Sequence, residues 1–344
     1  MKFTVLGISA GNGVMLHPFK ANLIGNIEVR SEYYNRGENP QWNLNFPGVP
    51  IYKDKSSFNL INERVDVIIG HPKCGNSSMF ALSRGKKFTS HDGEPSLELF
   101  LDGIKYFKPK IFAFENLEKL TESFPLSEKM KFGDTYYHLA VFSGTVSQFG
   151  NSQFSRKRLV VIGFRSDVFK ASRAKEFTWP NKVDGLLTAD ELIKDCPANG
   201  HSILSLPLRS TLTLYGGYTT TYIQVRDFWL ENPTLRHWPI ENGNMSTAPG
   251  VYINRKGDLP LTVRKTNRQF NHHGLDMTPR ELARLQGIPD DFQLLDPTNC
   301  SWLKTPTMLN KGRFTVANTP PYEIGLFLSK RIKLYLLSIP KKFK

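Results

Sequence analysis

An α/β fold is what the sequence predicts: a parallel sheet covered on both faces, followed by a separate, irregular, strand-rich domain. Near-continuous apolar runs, "KFTVLGI", "LIGNIEV", "VDVIIG", "PKIFAFEN" and "RLVVIGF", recur through the first 166 residues. Strands that lack polar alternation belong to sheets buried on both sides. An amphipathic stretch, "SLELFLDGIKYF", stands between the third and fourth runs as a crossover helix would. From about Asp167 to about Phe270 the character changes to Thr, Gly, Pro, Trp and Tyr, as in "STLTLYGGYTTTYIQVRDFWLENP", with no long helical period.

The elements follow in order. "KFTVLGI" ends in the glycine-bearing turn "ISAGNGV", and "LIGNIEV" ends on Glu28 and Val29. "VDVIIG" runs into "HPKCG", and "PKIFAFEN" ends on Glu115 and Asn116. Ligand sites in such sheets lie outside the carboxyl ends of the strands. Helical pattern returns at "MTPRELARLQG": Thr278 is placed as an N-cap, Pro279 as the first helical residue, Glu281 completes a capping box and Gly287 ends the helix. The tail "TPPYEIGLFLSKRIKLYLLSI" reads as one amphipathic helix.

The chain has 344 residues, enough for one large domain or two modest ones, and its 45 Lys+Arg against 31 Asp+Glu give a net charge of +14. Nucleic acid is the leading partner for such a charge. A membrane surface would also attract it, but no apolar run reaches spanning length, and the start "MKFTVLGIS" enters a strand pattern without a cleavage site. The expectation is a soluble protein inside the cell. Cys74, Cys196 and Cys300 lie far apart without metal-ligand spacing, so neither a disulfide framework nor a metal site is expected.

Cys74 follows a strand end, and Lys73 beside it favours a thiolate. It is placed like a nucleophile, although a free cysteine is also a common small core residue. Glu115 emerges at the end of the next strand, either as a proton donor beside that thiol or as an acid stabilised by a helix N-terminus.

These residues resemble the DNA (cytosine-5) methyltransferases. In that family a strand ends in a Pro-Cys pair, similar to Pro72 and Cys74 with Lys73 between them. The family's Glu-Asn-Val element looks like Glu115, Asn116 and Leu117. Its paired arginines look like Arg156 and Arg158 in "SQFSRKRLVVIG", its late helix like "LDMTPRELARLQGIPDDF", and its closing element like "RFTVANTPPYEIG" with Asn318.

The resemblance implies a Rossmann-like methyltransferase fold with a mixed, mostly parallel sheet and an inserted, irregular, strand-rich target-recognition domain. Residues 1–166 and 271–344 would form the catalytic domain and residues 167–270 the insertion. It further implies S-adenosylmethionine as cofactor, double-stranded DNA as partner and a monomer. The setting would be the cytoplasm of a bacterial or phage-infected cell, or the nucleus of a eukaryotic one.

Carbon 5 of cytosine is a poor nucleophile, and the family adds a thiolate to carbon 6 to make an enamine; Cys74 is the residue for that attack. Glu115 would protonate ring nitrogen 3, which requires a proton kept by burial, with Asn116 beside it. Arg158 and Arg156 would hold the carbonyl oxygen of the base or a phosphate. The base must leave the helical stack to be reached. The following stretch, "GNSSMFALSRGKKFTSHDG", is rich in the Gly, Ser and Lys of a mobile DNA-facing loop.

Ser9, Ala10, Gly11, Asn12 and Gly13 would line the methionine part of the cofactor, with Val29 and Pro72 nearby. Glu28 would bind the ribose hydroxyls, Asp54 the adenine amine, and Asn318 would close the pocket. Arg226, Arg236, Arg264, Lys265 and Arg268, interleaved with Trp229, Trp238 and Tyr222, would supply phosphate contacts and base readers. "TLTL" at Thr211 to Leu214 resembles the recognition domain's short Thr-Leu signature.

The pattern departs from the family in four places: Lys73 separates Pro72 from Cys74, Gly75 stands where the family has glutamine, Ser9 where it has an aromatic residue, and Gln153 is one residue too far from Arg156. None removes the thiol or the acid. Two alternatives to methyl transfer therefore stand beside it: a larger group or different donor at the same carbon, and an inactive relative that only binds DNA.

Overall fold

The computed structural model describes residues 3–30, 40–73, 95–151, 156–181, 183–196, 211–213, 219–221, 231, 251–263, 268–271, 277–294 and 316–339. The chain forms two compact units. One comprises Met1–Phe149, Lys157–Lys182 and Pro320–Lys344, the other Gly150–Arg156 and Val183–Thr319.

The first unit is built on an eight-stranded sheet: β1 (Val5–Ile8), β2 (Leu23–Glu28), β3 (Ile51–Lys53), β4 (Val67–Gly70), β5 (Ile111–Asn116), β6 (Lys129–Phe132), β7 (Thr135–Thr145) and β8 (Lys157–Arg165), in the order β3-β2-β1-β4-β5-β8-β7-β6. The first five are parallel, and β8, β7 and β6 continue the sheet antiparallel. Four of the apolar runs seen in the sequence supply β1, β2, β4 and β5 of the parallel part, and the fifth, "RLVVIGF", is the antiparallel β8. No such run announces the β6–β7 hairpin. Tyr136 and Val141 on β7 are exposed, so its apolar signal is diluted by positions that face water.

Along β1, β4 and β5 side chains alternate between two cores, as a sheet covered on both faces requires. Val5, Val67, Ile69, Ile111 and Ala113 point into one; Leu6, Ile68, Phe112 and Phe114 point into the other. The helix Tyr322–Leu337 closes the first core with Ile324, Leu328, Ile332 and Leu336, one residue per turn on a single stripe. The helix Pro95–Phe107 closes the second with Leu97, Phe100 and Ile104. Each such side chain adds about 1.5–3 kcal/mol by leaving water.

The second unit contains the helix Pro279–Leu285, whose start is the capping box read from the sequence. Glu281 N donates to the Thr278 hydroxyl at 3.2 Å, and Glu281 Oε2 accepts from Thr278 N at 2.7 Å. Gly287 follows with φ 68°, the left-handed conformation that ends a helix. Thr211–Thr213 pairs antiparallel with Thr219–Thr221, and Val251–Ile253 pairs parallel with Arg268–Phe270. Among the described residues no helix is long and apolar enough to cross a membrane, and no cluster of His, Cys, Asp or Glu could hold a metal ion.

Candidate active site

The carboxyl ends of β2, β1, β4 and β5 lie side by side in the first unit. The turn after β1 has positive φ at Ser9 (54°), Gly11 (64°) and Gly13 (84°). At Gly13 a Cβ would fall 2.4 Å from the Phe46 ring, so both conformation and space demand glycine. The turn aims its amides at the end of β2: Ala10 N donates to Asn26 Oδ1 at 3.4 Å and Gly11 N to Glu28 Oε2 at 3.0 Å. Asn12 is buried within the turn. The Ser9 hydroxyl donates to Ser96 O at 2.8 Å, and the Ser96 hydroxyl accepts from Lys73 N at 2.8 Å. In place of an aromatic face, Ser9 therefore provides a link toward the segment that leads to Cys74.

Glu28 is fully buried. Its Oε1 accepts from Val29 N, Arg30 N and Arg30 Nε at 3.1, 3.1 and 2.8 Å, and its Oε2 from Gly11 N and, at 2.7 Å, from Arg30 Nη2. Arg30 Nη2 also donates to Ser9 O at 2.6 Å. Asp54 N donates to Glu28 O at 3.2 Å. The Asp54 carboxylate caps the 3-10 helix Lys55–Leu60, accepting from the Ser56 amide at 2.9 Å and hydroxyl at 2.6 Å. These two hydrogen bonds hold its carboxyl below the usual range. Val29 is half-buried.

A second cluster forms where β4 and β5 end. A Cβ on Gly70 would fall 2.6 Å from Ile8 O, so glycine lets β4 end hard against β1. His71 N then donates to Ser9 O at 3.2 Å. Asn116 Nδ2 donates to Pro72 O at 3.1 Å, and its Oδ1 accepts from Leu117 N at 2.8 Å, so this buried amide holds the main chain two residues before Cys74. Glu115 is fully buried, with Arg158 Nε 2.5 Å from Oε1 and His71 Nδ1 2.5 Å from Oε2. A guanidinium and an imidazole thus flank this buried carboxyl group.

The structure thus brings together Glu115, Asn116, Arg158 and Pro72, with Ser9, Gly11 and Glu28 at the neighbouring strand ends. Cys74 and the loop after it lie outside the described residues, as do Gln153, Tyr222, Arg226, Trp229, Arg236, Trp238, Arg264 and Lys265. Arg268 is described only as part of its strand. Arg156 belongs to the second unit, where its guanidinium is buried and donates to Gln286 Oε1 at 2.5 Å and Thr319 O at 2.8 Å. Gln286 Nε2 in turn donates to Val316 O at 2.6 Å. Arg156 thereby ties the end of helix Pro279–Leu285 to the turn carrying Asn318, which is half-buried in the same unit. His71 and Arg30 are contacts that the sequence reading did not supply. Each is a lone residue whose partner only the fold reveals.

The model of the C-5 cytosine-specific DNA methylase family matches residues 3–304. The chain is 25% identical over 284 residues to the type II methyltransferase M.AplI of Arthrospira platensis, covering 80% of this chain and 71% of that protein. It is 22% identical to the type II methyltransferase M.DdeI of Desulfomicrobium norvegicum, covering 97% and 89% respectively. The solved S. pombe Dnmt2 methyltransferase has the same fold with a TM-score of 0.56 at 14% identity, over 98% of this chain and all of that one. With a family match that runs through the strand-end cluster and across most of its length, the chain belongs to the C-5 cytosine-specific DNA methylases, the DNA (cytosine-5) methyltransferases.

Proposed function

We propose that the chain transfers a methyl group from S-adenosylmethionine to carbon 5 of a cytosine turned out of duplex DNA, through a covalent adduct of Cys74 at carbon 6. The observation that carries this reading is the pairing of fully buried Glu115 with Arg158 and His71 at the end of β5, beside the Pro72 carbonyl held by Asn116.

The Cys74 thiolate, favoured by Lys73, adds to carbon 6, and the displaced electron pair ends on ring nitrogen 3. Glu115 gives that nitrogen a proton, which leaves carbon 5 as the nucleophilic end of an enamine. Arg158, fixed on Glu115, extends its remaining donors toward the base's carbonyl oxygen. Asn116 keeps Pro72, and through it the approach of Cys74, in place.

The residues present suit the cofactor. The Gly11–Gly13 turn offers a close main-chain cradle, and Glu28 is a buried acceptor at the end of β2 whose oxygens a ribose hydroxyl pair would share with, or take from, Arg30. When bound, the cofactor supplies an electrophilic methyl group. Ala10, Asn12, Val29 and Asp54 would border it. The +14 charge suits double-stranded DNA, with the recognition readers in residues 167–270. The likeness to type II methyltransferases supports a restriction-modification role in the cytoplasm of a bacterial or phage-infected cell.

Nucleoside mass spectrometry of DNA exposed to the protein and S-adenosylmethionine tests the reading. One added methyl on deoxycytidine, absent with Cys74→Ser, is expected. A larger added group, or unmodified deoxycytidine on DNA that the protein binds, would contradict it.

A further inference from the structure

His71 sits between the last residue of β4 and Pro72, with its main chain fixed by the hydrogen bond to Ser9 O. Its side chain is 17% exposed and its Nδ1 lies 2.5 Å from Glu115 Oε2. The other carboxylate oxygen is held by Arg158. Of these two partners among the described residues, one is a guanidinium, by its chemistry a fixed cation, and the other an imidazole, the type of side chain suited to exchanging a proton near neutrality.

We propose that His71 is a positioning residue that holds the proton reserve for Glu115 during attack on the cytosine. This rests on the methyltransferase reading above. Before attack the pair carries one proton, on Nδ1. The imidazolium passes it to Oε2, and Glu115 passes a proton to ring nitrogen 3 as the Cys74 sulfur bonds to carbon 6. What remains is a neutral imidazole, a carboxylate and a neutral, N3-protonated ring. After methyl transfer carbon 5 gives up its proton to water, the sulfur leaves as thiolate, and the proton on nitrogen 3 returns by the same route, so the pair consumes none over a cycle.

The charged groups around this imidazole among the described residues are Glu115 on β5, Arg158 on β8 and Arg30, which shares Ser9 O with the His71 amide and is itself paired with Glu28.

The test is single-turnover methyl transfer by the full chain from about pH 6 to about pH 9, the range in which imidazoles change charge. His71→Asn and His71→Gln are compared with the native protein, and His71→Ala is assayed with and without added imidazole. The native rate is expected to fall at alkaline pH as the imidazolium is lost and at acid pH as the thiolate is protonated. The Asn and Gln variants should be slower by about 10²-fold and lack the alkaline fall, and imidazole should restore part of the His71→Ala rate. Variants that keep the alkaline fall at reduced amplitude, or that match the native rate, would overturn the proposal. A native chain that binds DNA yet makes no product overturns the methyltransferase reading and this proposal together.

Discussion

Glu28 and Glu115 are both fully buried, both lie at the carboxyl end of a parallel strand, and both meet an arginine. Their surroundings differ in kind. Glu28 takes three main-chain amides and two nitrogens of Arg30 and holds the β1 and β2 ends together. The ion pairs of Glu115 among the described residues are with the side chains of Arg158 and His71. A carboxylate fixed by backbone amides is suited to receiving a ligand. One paired with an imidazole is suited to moving a proton.

The comparison breaks most visibly if the two glutamines behave alike. Glu115→Gln should lower methyl transfer by about 10²–10⁴-fold, the usual contribution of a positioned acid, with a smaller loss of stability than Glu28→Gln because Arg158 is more exposed than Arg30. Glu28→Gln should instead cost about 3–5 kcal/mol of stability, because it leaves Arg30 buried with its partner removed. Urea unfolding of both variants reads this, and a larger stability loss for Glu115→Gln would reverse the assignment.

The arginines sharpen it next. Arg158→Ala should reduce the rate by about 10²–10³-fold through loss of a donor at the developing charge. Arg156→Ala should cost about 1–3 kcal/mol by leaving Gln286 and the Thr319 carbonyl short of a donor, with the rate per folded molecule nearly kept. Single-turnover rates normalised to folded protein separate the two.

Smaller effects concern charge and thiols. Binding to DNA of fixed sequence should weaken steeply as salt rises, with a log–log slope near −0.9 per phosphate neutralised. A nearly flat titration would remove phosphate contacts from the account. Burial pushes the Cys196 thiol up to about 11, so it stays protonated and slow to alkylate at about pH 8, reacting faster only as pH rises toward that value. Peptide mass spectrometry after brief iodoacetamide treatment should find Cys74 modified ahead of Cys196.

What could be read from the sequence follows from burial. Strands covered on both faces, such as Val67–Gly70 and Ile111–Asn116, are continuous apolar runs, and their ends place Glu115 and Asn116 without any further information. The capping box at Thr278 is a local contact between residues three apart, so it too was legible. The β6–β7 hairpin was not, because exposed positions such as Lys129, Lys131, Tyr136 and Val141 interrupt its apolar residues. Arg156 looked equivalent to Arg158 two residues on, the spacing that puts side chains on one face of a strand. It lies just before β8 begins at Lys157, outside that alternation, and its guanidinium turns to Gln286 and Thr319. His71 and Arg30 carry no spacing signal. Their meaning lies in the strand order that brings β5 beside β4 and the β1 turn beside β2.

The central claim, that this strand-end cluster supports covalent attack on cytosine, is tested most directly by trapping. The native chain, Cys74→Ser and Glu115→Gln are incubated with S-adenosylmethionine and duplex DNA carrying 5-fluorocytosine at verified target sites, then separated under denaturing conditions. The account predicts a stable protein–DNA adduct with the native chain, none with Cys74→Ser and a strongly slowed one with Glu115→Gln. Reversible binding without any adduct, from a native chain that recognises the same site, would contradict it.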